Sequence, residues 1–159
     1  MKISAQEEYG LRCLVQLANL PDGDSLTLPQ IAELEGISNA NAGKLMWLLN
    51  KADFVHSTRG TKGGYSLARP AEEIKLNEII KVLDEDVMTK HCGSYTGVLD
   101  SCVHNGDCGI RPVIVGLHEI VENALSCITL AQLVGTESTV DAMFHQIQGI
   151  HRTLEAQRV

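Results

Sequence analysis

Two neighbouring stretches decide the fold. The first reads Pro29-Gln-Ile-Ala-Glu-Leu-Glu-Gly36-Ile-Ser38-Asn-Ala-Asn-Ala-Gly-Lys44-Leu-Met-Trp-Leu-Leu-Asn50, and the second Phe54-Val-His-Ser-Thr58-Arg-Gly-Thr-Lys-Gly-Gly64-Tyr-Ser-Leu-Ala68. Proline suits the first turn of a helix, and Ile31, Ala32 and Leu34 give that helix an apolar side. Glu35-Gly36-Ile37-Ser38 is a tight turn, in which Gly36 supplies a permissive backbone and Ser38 the next cap. A further helix is expected from Asn39 to Asn50, with Leu45, Leu48 and Leu49 facing inward. Helix, glycine-containing turn, helix is the DNA-reading unit of many regulators, although an ordinary helical hairpin shares the pattern. The second stretch tips the balance: two short strands around Arg59-Gly-Thr61-Lys62-Gly-Gly64 form a basic, glycine-rich hairpin, a wing. Its tip residues Arg59, Thr61 and Lys62 are expected at phosphates or a narrow minor groove. In the reading helix, Ser38, Asn39, Asn41 and Lys44 lie on the turns that reach base edges, where Asn suits adenine and Lys suits guanine or phosphate. Capping by Ser38 and Asn39 is compatible with that role.

Working outward, Ser4-Ala-Gln-Glu7 is a capping box that predicts a helix from about residue 5. That helix carries Tyr9, Leu11, Leu14, Val15, Leu17 and Ala18 and ends at Pro21-Asp-Gly-Asp. Beyond the wing, Pro70 breaks the strand and a short helix runs from Leu76 to Asp84. Pro112 opens a long helix with apolar residues at Val113, Ile114, Leu117, Ile120, Val121, Ala124, Leu125 and Ile128, spaced by threes and fours. Little chain remains to cover that stripe, so pairing with a second copy is expected. Ser138-Thr-Val-Asp141 is read as the cap of a last helix bearing Met143, Phe144, Ile147, Ile150 and Leu154. The fold class is therefore mainly α with a small β-hairpin wing: a winged helix-turn-helix domain plus a long dimerisation helix. The expected divisions are 1–85 for DNA binding, 86–110 for a cysteine-bearing loop, 111–135 for dimerisation and 136–159 for a helical tail.

The chain has 159 residues, 44% of them hydrophobic, enough for one small domain with an oligomerisation element. Net charge is −7, but residues 38–69 carry +4 and the remainder −11. Salt screens charges beyond about 8–10 Å, so a local basic patch on an acidic protein still binds phosphate. No apolar run spans a bilayer and the first residues lack a signal-peptide core, which predicts a cytoplasmic protein. There, five cysteines argue against structural disulfides. No phosphate loop, Ser-His-Asp pattern or pair of carboxylates in an apolar pocket speaks for an enzyme, and no small-molecule substrate is expected.

Three of the cysteines, Cys92, Cys102 and Cys108, share one polar, glycine-rich loop that offers little apolar burial. Thiols grouped this way serve metal, cluster or redox chemistry. Spacing alone leaves an iron–sulfur cluster, a zinc site completed by His91 or His104, and a bare thiol switch nearly level; the short Cys-x-x-Cys knuckles usual for zinc are absent. Cys13 and Cys127 are read as small buried hydrophobes, Trp47 as core or interface, and Arg12 as a surface or DNA-facing charge. Gly43, inside a helix, costs roughly 1 kcal/mol relative to alanine, a hint of close backbone approach.

The order of these parts carries a resemblance. A helix-turn-helix, a wing reading Thr58-Arg-Gly-Thr-Lys-Gly-Gly-Tyr65, the segment Leu76-Asn-Glu-Ile-Ile-Lys-Val-Leu-Asp84, three cysteines and a closure Cys127-Ile-Thr-Leu-Ala-Gln-Leu-Val134 resemble the IscR, NsrR and RirA group of bacterial regulators, the Rrf2 family. The likeness covers roughly residues 1 to 135. It implies a homodimeric winged-helix regulator of double-stranded DNA with a palindromic operator. It also implies an iron–sulfur cluster, one per subunit, held at the dimer interface by Cys92, Cys102 and Cys108, whose state controls DNA binding. The sequence departs from the IscR pattern: Arg111 stands where a ligating histidine follows the third cysteine, and the gap between the first two cysteines is longer. By similarity to the NsrR-like members, Glu8 of the other subunit is the expected fourth ligand, with His91 and His104 as runners-up. Three thiolates and one weak ligand favour a 4Fe-4S over a 2Fe-2S cluster.

Overall fold

Capping chemistry sets where the first helices begin. The computed structural model of the protein describes residues 3–58, 63–84, 102–104 and 107–156, with side chains as far as residue 146. Helix α1 runs Ala5–Ala18. The Glu7 backbone N–H donates to Ser4 Oγ (3.2 Å), and the Ser4 N–H donates to the Glu7 carboxylate (2.6 Å). This reciprocal pair occupies amide donors that a helix start otherwise leaves unmet, and it explains why Glu7 is buried. Helix α2, Leu28–Glu35, begins at Thr27, whose N–H donates to Gln30 Oε1 (2.8 Å), and closes on Gly36 in the left-handed region (φ 63°). Helix α3, Asn39–Lys51, starts where Ser38 Oγ accepts the Asn41 N–H (3.2 Å). It ends before Asp53, whose φ of 57° turns the chain into the wing.

Strands β1 (Val55–Thr58) and β2 (Gly64–Leu67) pair antiparallel, with Val55 opposite Leu67 and Thr58 opposite Gly64. A third rung comes from Leu26, which exchanges two backbone hydrogen bonds with Tyr65 (3.0 and 2.7 Å). That close passage explains Gly64: a Cβ there would stand 2.8 Å from the Leu26 carbonyl oxygen. Helix α4 (Leu76–Leu83) follows a single turn at Ala71–Glu73. Helix α5 (Arg111–Ser126) leads to a short turn, Leu130–Leu133, and α6 (Glu137–Ala156) ends the described chain. The Leu76 N–H donates to the Ile128 carbonyl and the Leu130 N–H to that of Ile74 (both 2.9 Å), so the segment after α5 returns to the entrance of α4.

One core joins these parts: Cys13 and Leu14 of α1, Ile31 of α2, Met46 and Leu49 of α3 and Ile79 of α4 are fully buried, with Phe54, Ile74 and Leu130 beside them. Helix α5 is different. It contributes no buried residue. An ion pair from Lys81 to Glu122 (2.7 Å) and contacts with α4 hold it, while Val113, Leu117 and Ile120 stand 61%, 57% and 66% exposed. Among the described residues no helix is long and apolar enough to cross a membrane.

The winged helix-turn-helix expectation holds, with local corrections. Met46 is fully buried where Leu48 was expected, and Leu48 is half-buried on the flank. Leu34 falls to the side of the short α2 and is 55% exposed. Trp47, two residues from both Leu45 and Leu49, lies on the opposite face of α3 and is exposed rather than part of the core. Cys127 is exposed instead of buried, because it continues the uncovered side of α5. The last helix begins one residue before Ser138, and its cap is Thr136, whose Oγ1 accepts the Thr139 N–H (3.4 Å).

Candidate functional site

Helix α3 presents one polar face. Its buried side is Ala42, Leu45, Met46 and Leu49, which leaves Ala40, Lys44, Trp47 and Lys51 as an outward stripe that continues from the exposed Ser38, Asn39 and Asn41. Ser38 is both exposed and committed to capping. The Lys51 ammonium sits 5.3 Å from the centre of the Trp47 ring, a favourable placement of a cation on an aromatic face. Asn50 ties the helix to the wing by donating to the Val55 carbonyl (2.8 Å). Arg59, Thr61 and Lys62 lie outside the described residues; the strands that carry them meet where the Gly64 N–H donates to Thr58 Oγ1 (3.3 Å). Arg69 does not belong with these cations. It is ion-paired to Glu78, donates to the Glu73 carbonyl (3.1 Å) and stacks 5.4 Å from the Phe54 ring, so its charge is spent on the fold.

The N-terminal turns of α1 lie against this face. Ala5, Gln6 and Tyr9 share a small cleft with Ile37, Asn41, Lys44 and Leu45. Gln6 Nε2 also donates to the Leu83 carbonyl (2.7 Å), the last residue of α4. Glu8 points to solvent, half exposed and paired with Arg12 at 2.6 Å, and the Arg12 guanidinium lies 5.7 Å from the Tyr9 ring. A carboxylate so placed is accessible, and its surface ion pair holds it only weakly.

Of the cysteine-loop residues, Cys92 and His91 lie outside the described residues. Cys102 and Cys108 are half-buried, and His104 is exposed. The Cys108 thiol is held below the ordinary thiol range, chiefly by the backbone N–H groups of Arg111 and Ile110 at the start of α5 and also by the positive charge of Arg111. Arg111 Nε is itself buried without a hydrogen-bond partner among the described residues. Cys13 behaves oppositely: burial, reinforced by Glu35, pushes its thiol up to about 12. Among the described residues no three histidine, cysteine or acidic side chains converge as a metal site. Arg111, which opens α5 three residues after Cys108, and Glu122 are eleven residues apart, roughly 16 Å of helix at 1.5 Å per residue. The thiol end of α5 therefore projects well beyond the ion pair that fastens this helix to α4.

A family model described as an iron-dependent transcriptional regulator, Rrf2, matches residues 3–136. The chain belongs to the Rrf2 family. Among solved structures, T. potens IscR is similar at 31% identity, covering 82% of this chain and 84% of that one, with a TM-score of 0.64. The oxidized form of Staphylococcus aureus CymR is similar at 28% identity over 86% of this chain and 98% of that one, with a TM-score of 0.66. CymR, the global cysteine regulator of B. subtilis, is similar at 27% identity over 85% and 99% of the two chains, with a TM-score of 0.64. The protein is thus a DNA-binding transcriptional regulator with a winged-helix fold, and not an enzyme.

Within this Rrf2 chain two residues escaped the sequence reading. Trp47 reads as core or interface because leucines surround it; its exposure excludes the core, and counting helical angles puts it on the outer face. Arg111 was noted for its inability to bind iron, whereas its charge acts on the neighbouring thiol. The spacing Cys108-x-x-Arg111 at a helix start carried that signal, since a cation and exposed amides both favour a thiolate there.

Proposed function

We propose that this Rrf2 regulator is a cytoplasmic homodimer that reads a palindromic operator and uses the cysteine loop to sense redox state, nitric oxide or iron supply. In this reading residues 1–85 bind DNA, with Ser38, Asn39, Asn41 and Lys44 in the major groove and Arg59, Thr61 and Lys62 on the backbone or minor groove. Cys92, Cys102, Cys108 and Glu8 of the second copy hold an iron–sulfur cluster, one per subunit and of the 4Fe-4S kind; residues 111–135 join the protomers. The donor chemistry fits such a group: the Cys108 thiol is shifted toward the thiolate, and Arg111, whose buried Nε has no partner among the described residues, adds positive charge near it. When bound, the cluster supplies a reversible change of charge and ligation.

The observation that carries the reading is the cleft shared by α1 and α3. Glu8 stands between Gln6 and Tyr9, and both of those residues line the cleft with Asn41 and Lys44. A pull on the Glu8 carboxylate is therefore applied next to the residues that face DNA. Half-sites lie about 34 Å apart, so a small displacement of α3 in each protomer changes the fit.

The test is anaerobic purification with a visible spectrum and iron and sulfide assays, repeated on Glu8→Ala and on serine variants of Cys92, Cys102 and Cys108. Coloured wild-type protein and colour lost in the cysteine variants are expected; colourless, iron-free protein refutes the cluster. In gel shifts, Asn41→Ala should change sequence preference, while Arg59→Ala with Lys62→Ala should weaken all sequences alike and reduce the salt slope by roughly two. A second reading, a cluster-free switch that senses by thiol oxidation or zinc, draws on the likeness to the oxidized S. aureus CymR and on the Cys108 thiol. Stoichiometric zinc, or DNA binding that responds to peroxide and dithiothreitol without iron, would select it.

A further inference from the structure

Two features of α3 weaken the isolated protein. Trp47, the sole tryptophan of the chain, is 59% exposed. Gly43 stands one helical turn before it, inside the helix, where glycine is worse than alanine. Packing within the chain does not demand glycine: a Cβ at Gly43 would meet only Leu28 Cδ2, at an ordinary 3.7 Å. An uncovered indole one turn from a half-buried glycine that packing does not demand marks a face that something else approaches closely.

Charge says what. Lys44 and Lys51 flank Trp47 on the exposed stripe, and α3 holds no acidic residue. The stripe is continuous with Asn39 and Asn41. Trp47 is eight residues beyond Asn39, roughly 12 Å along the helix axis, about the width of the major groove. If the first turn of α3 is in the groove, Trp47 is at its rim.

We propose that Trp47 is a DNA contact: its ring packs on a deoxyribose at the groove edge, Gly43 lets that strand approach the helix backbone, and Lys44 and Lys51 neutralise the phosphates on either side. The contact reads no base. It raises affinity for duplex DNA of any sequence and fixes how deeply α3 sits. The inference rests on the reading of α3 as the DNA-facing helix.

The tryptophan is its own probe. The full chain is titrated with an end-labelled duplex of about 30 base pairs, long enough for two half-sites, recovered from random-sequence DNA by selection on the wild-type protein. Label anisotropy reports binding; tryptophan emission and its quenching by iodide report the ring. Emission is expected to fall, and iodide access to drop several-fold, over the same concentration range in which anisotropy rises. Trp47→Ala should weaken binding about tenfold with an unchanged salt slope, because no phosphate contact is lost. Trp47→Phe should lose less, and Gly43→Ala should weaken binding while raising thermal stability. Should Trp47→Ala fail to fold, the wild-type emission decides alone. Saturated anisotropy with unchanged emission and iodide access overturns the Trp47 contact but leaves DNA binding standing. A ring already shielded without DNA also overturns it and assigns the face to a second copy of the chain. If no duplex raises anisotropy, the reading of α3 falls and the contact with it.

Discussion

Helices α1 and α5 look alike on paper. They have 14 and 16 residues, and both place apolar side chains at intervals of three and four. In the structure α1 sinks Cys13, Leu14 and Leu17 into the core, whereas α5 has no fully buried residue, packs only Leu125 against the core's edge, and leaves Val113, Leu117 and Ile120 open to solvent. The difference lies in what surrounds them. Helix α1 is packed by α2, α3, α4 and the turn after α5, while among the described elements α5 rests mainly on α4. Periodicity measures how much apolar surface a helix owns and says nothing of who covers it. A stripe this long, left bare by the described residues, is the surface that the proposed homodimer would cover.

Substitutions of apolar residues in each helix separate the two cases most strongly. Leu14→Ala should cost about 2–5 kcal/mol of folding stability in urea titrations, because it opens a cavity in a filled core. Leu117→Asp combined with Ile120→Asp should leave the protomer folded, yet weaken self-association by on the order of 100-fold, about 3 kcal/mol. Sedimentation read against concentration checks it; an unchanged dimer places the interface elsewhere.

A smaller effect sharpens the α1 side. Gly10 packs directly on Leu83, and a Cβ there would come within 2.5 Å of Leu83 Cδ1. Leu83 is fully buried and has little room to move, so Gly10→Ala should lose about 1–3 kcal/mol through overpacking. Stability unchanged in the same urea titration would mean that α4 slides freely on α1. The smallest effect concerns thiols. In reduced, metal-free protein, Cys108 should alkylate with a midpoint pH below that of an ordinary thiol, since the amides of Arg111 and Ile110 favour its thiolate. Cys13 should stay unlabelled in the folded state. Its raised value means that the stability it contributes is full at neutral pH and is lost only as pH climbs from the ordinary thiol range toward about 12. Mass spectrometry of the labelled peptides after timed quenching distinguishes the two, and a Cys13 that labels as fast as Cys108 would contradict the packing of α1.

Much of this was legible in the sequence because it is local. The Ser4–Glu7 box, the Gly36 turn, the Ser38 cap and the wing strands all depend on residues a few positions apart. What escaped depends on distant neighbours. The leucines beside Trp47 obscure that its side of α3 faces outward, and Cys127 resembles Cys13 until the tertiary packing separates them. The residues of α3 proposed to face DNA could be named from their turn of the helix, but the cleft that joins Asn41 and Lys44 to Gln6 and Tyr9 requires α1 to cross α3, which no short window contains. The salt bridge that withdraws Arg69 from the basic patch is of the same kind: Arg69 lies in the bend after β2 and its partner Glu78 is on α4.

The Leu26–Tyr65 rung has a mechanical corollary. By bonding the hairpin to the segment before α2, it makes reading helix and wing a single stiff body with little freedom to alter its own profile. In the proposed dimer, an effector would have the separation and tilt of the two protomers to work with, rather than the angle of either wing. Its influence should then show most on operators whose halves are spaced one base pair too near or too far, and least on an isolated half.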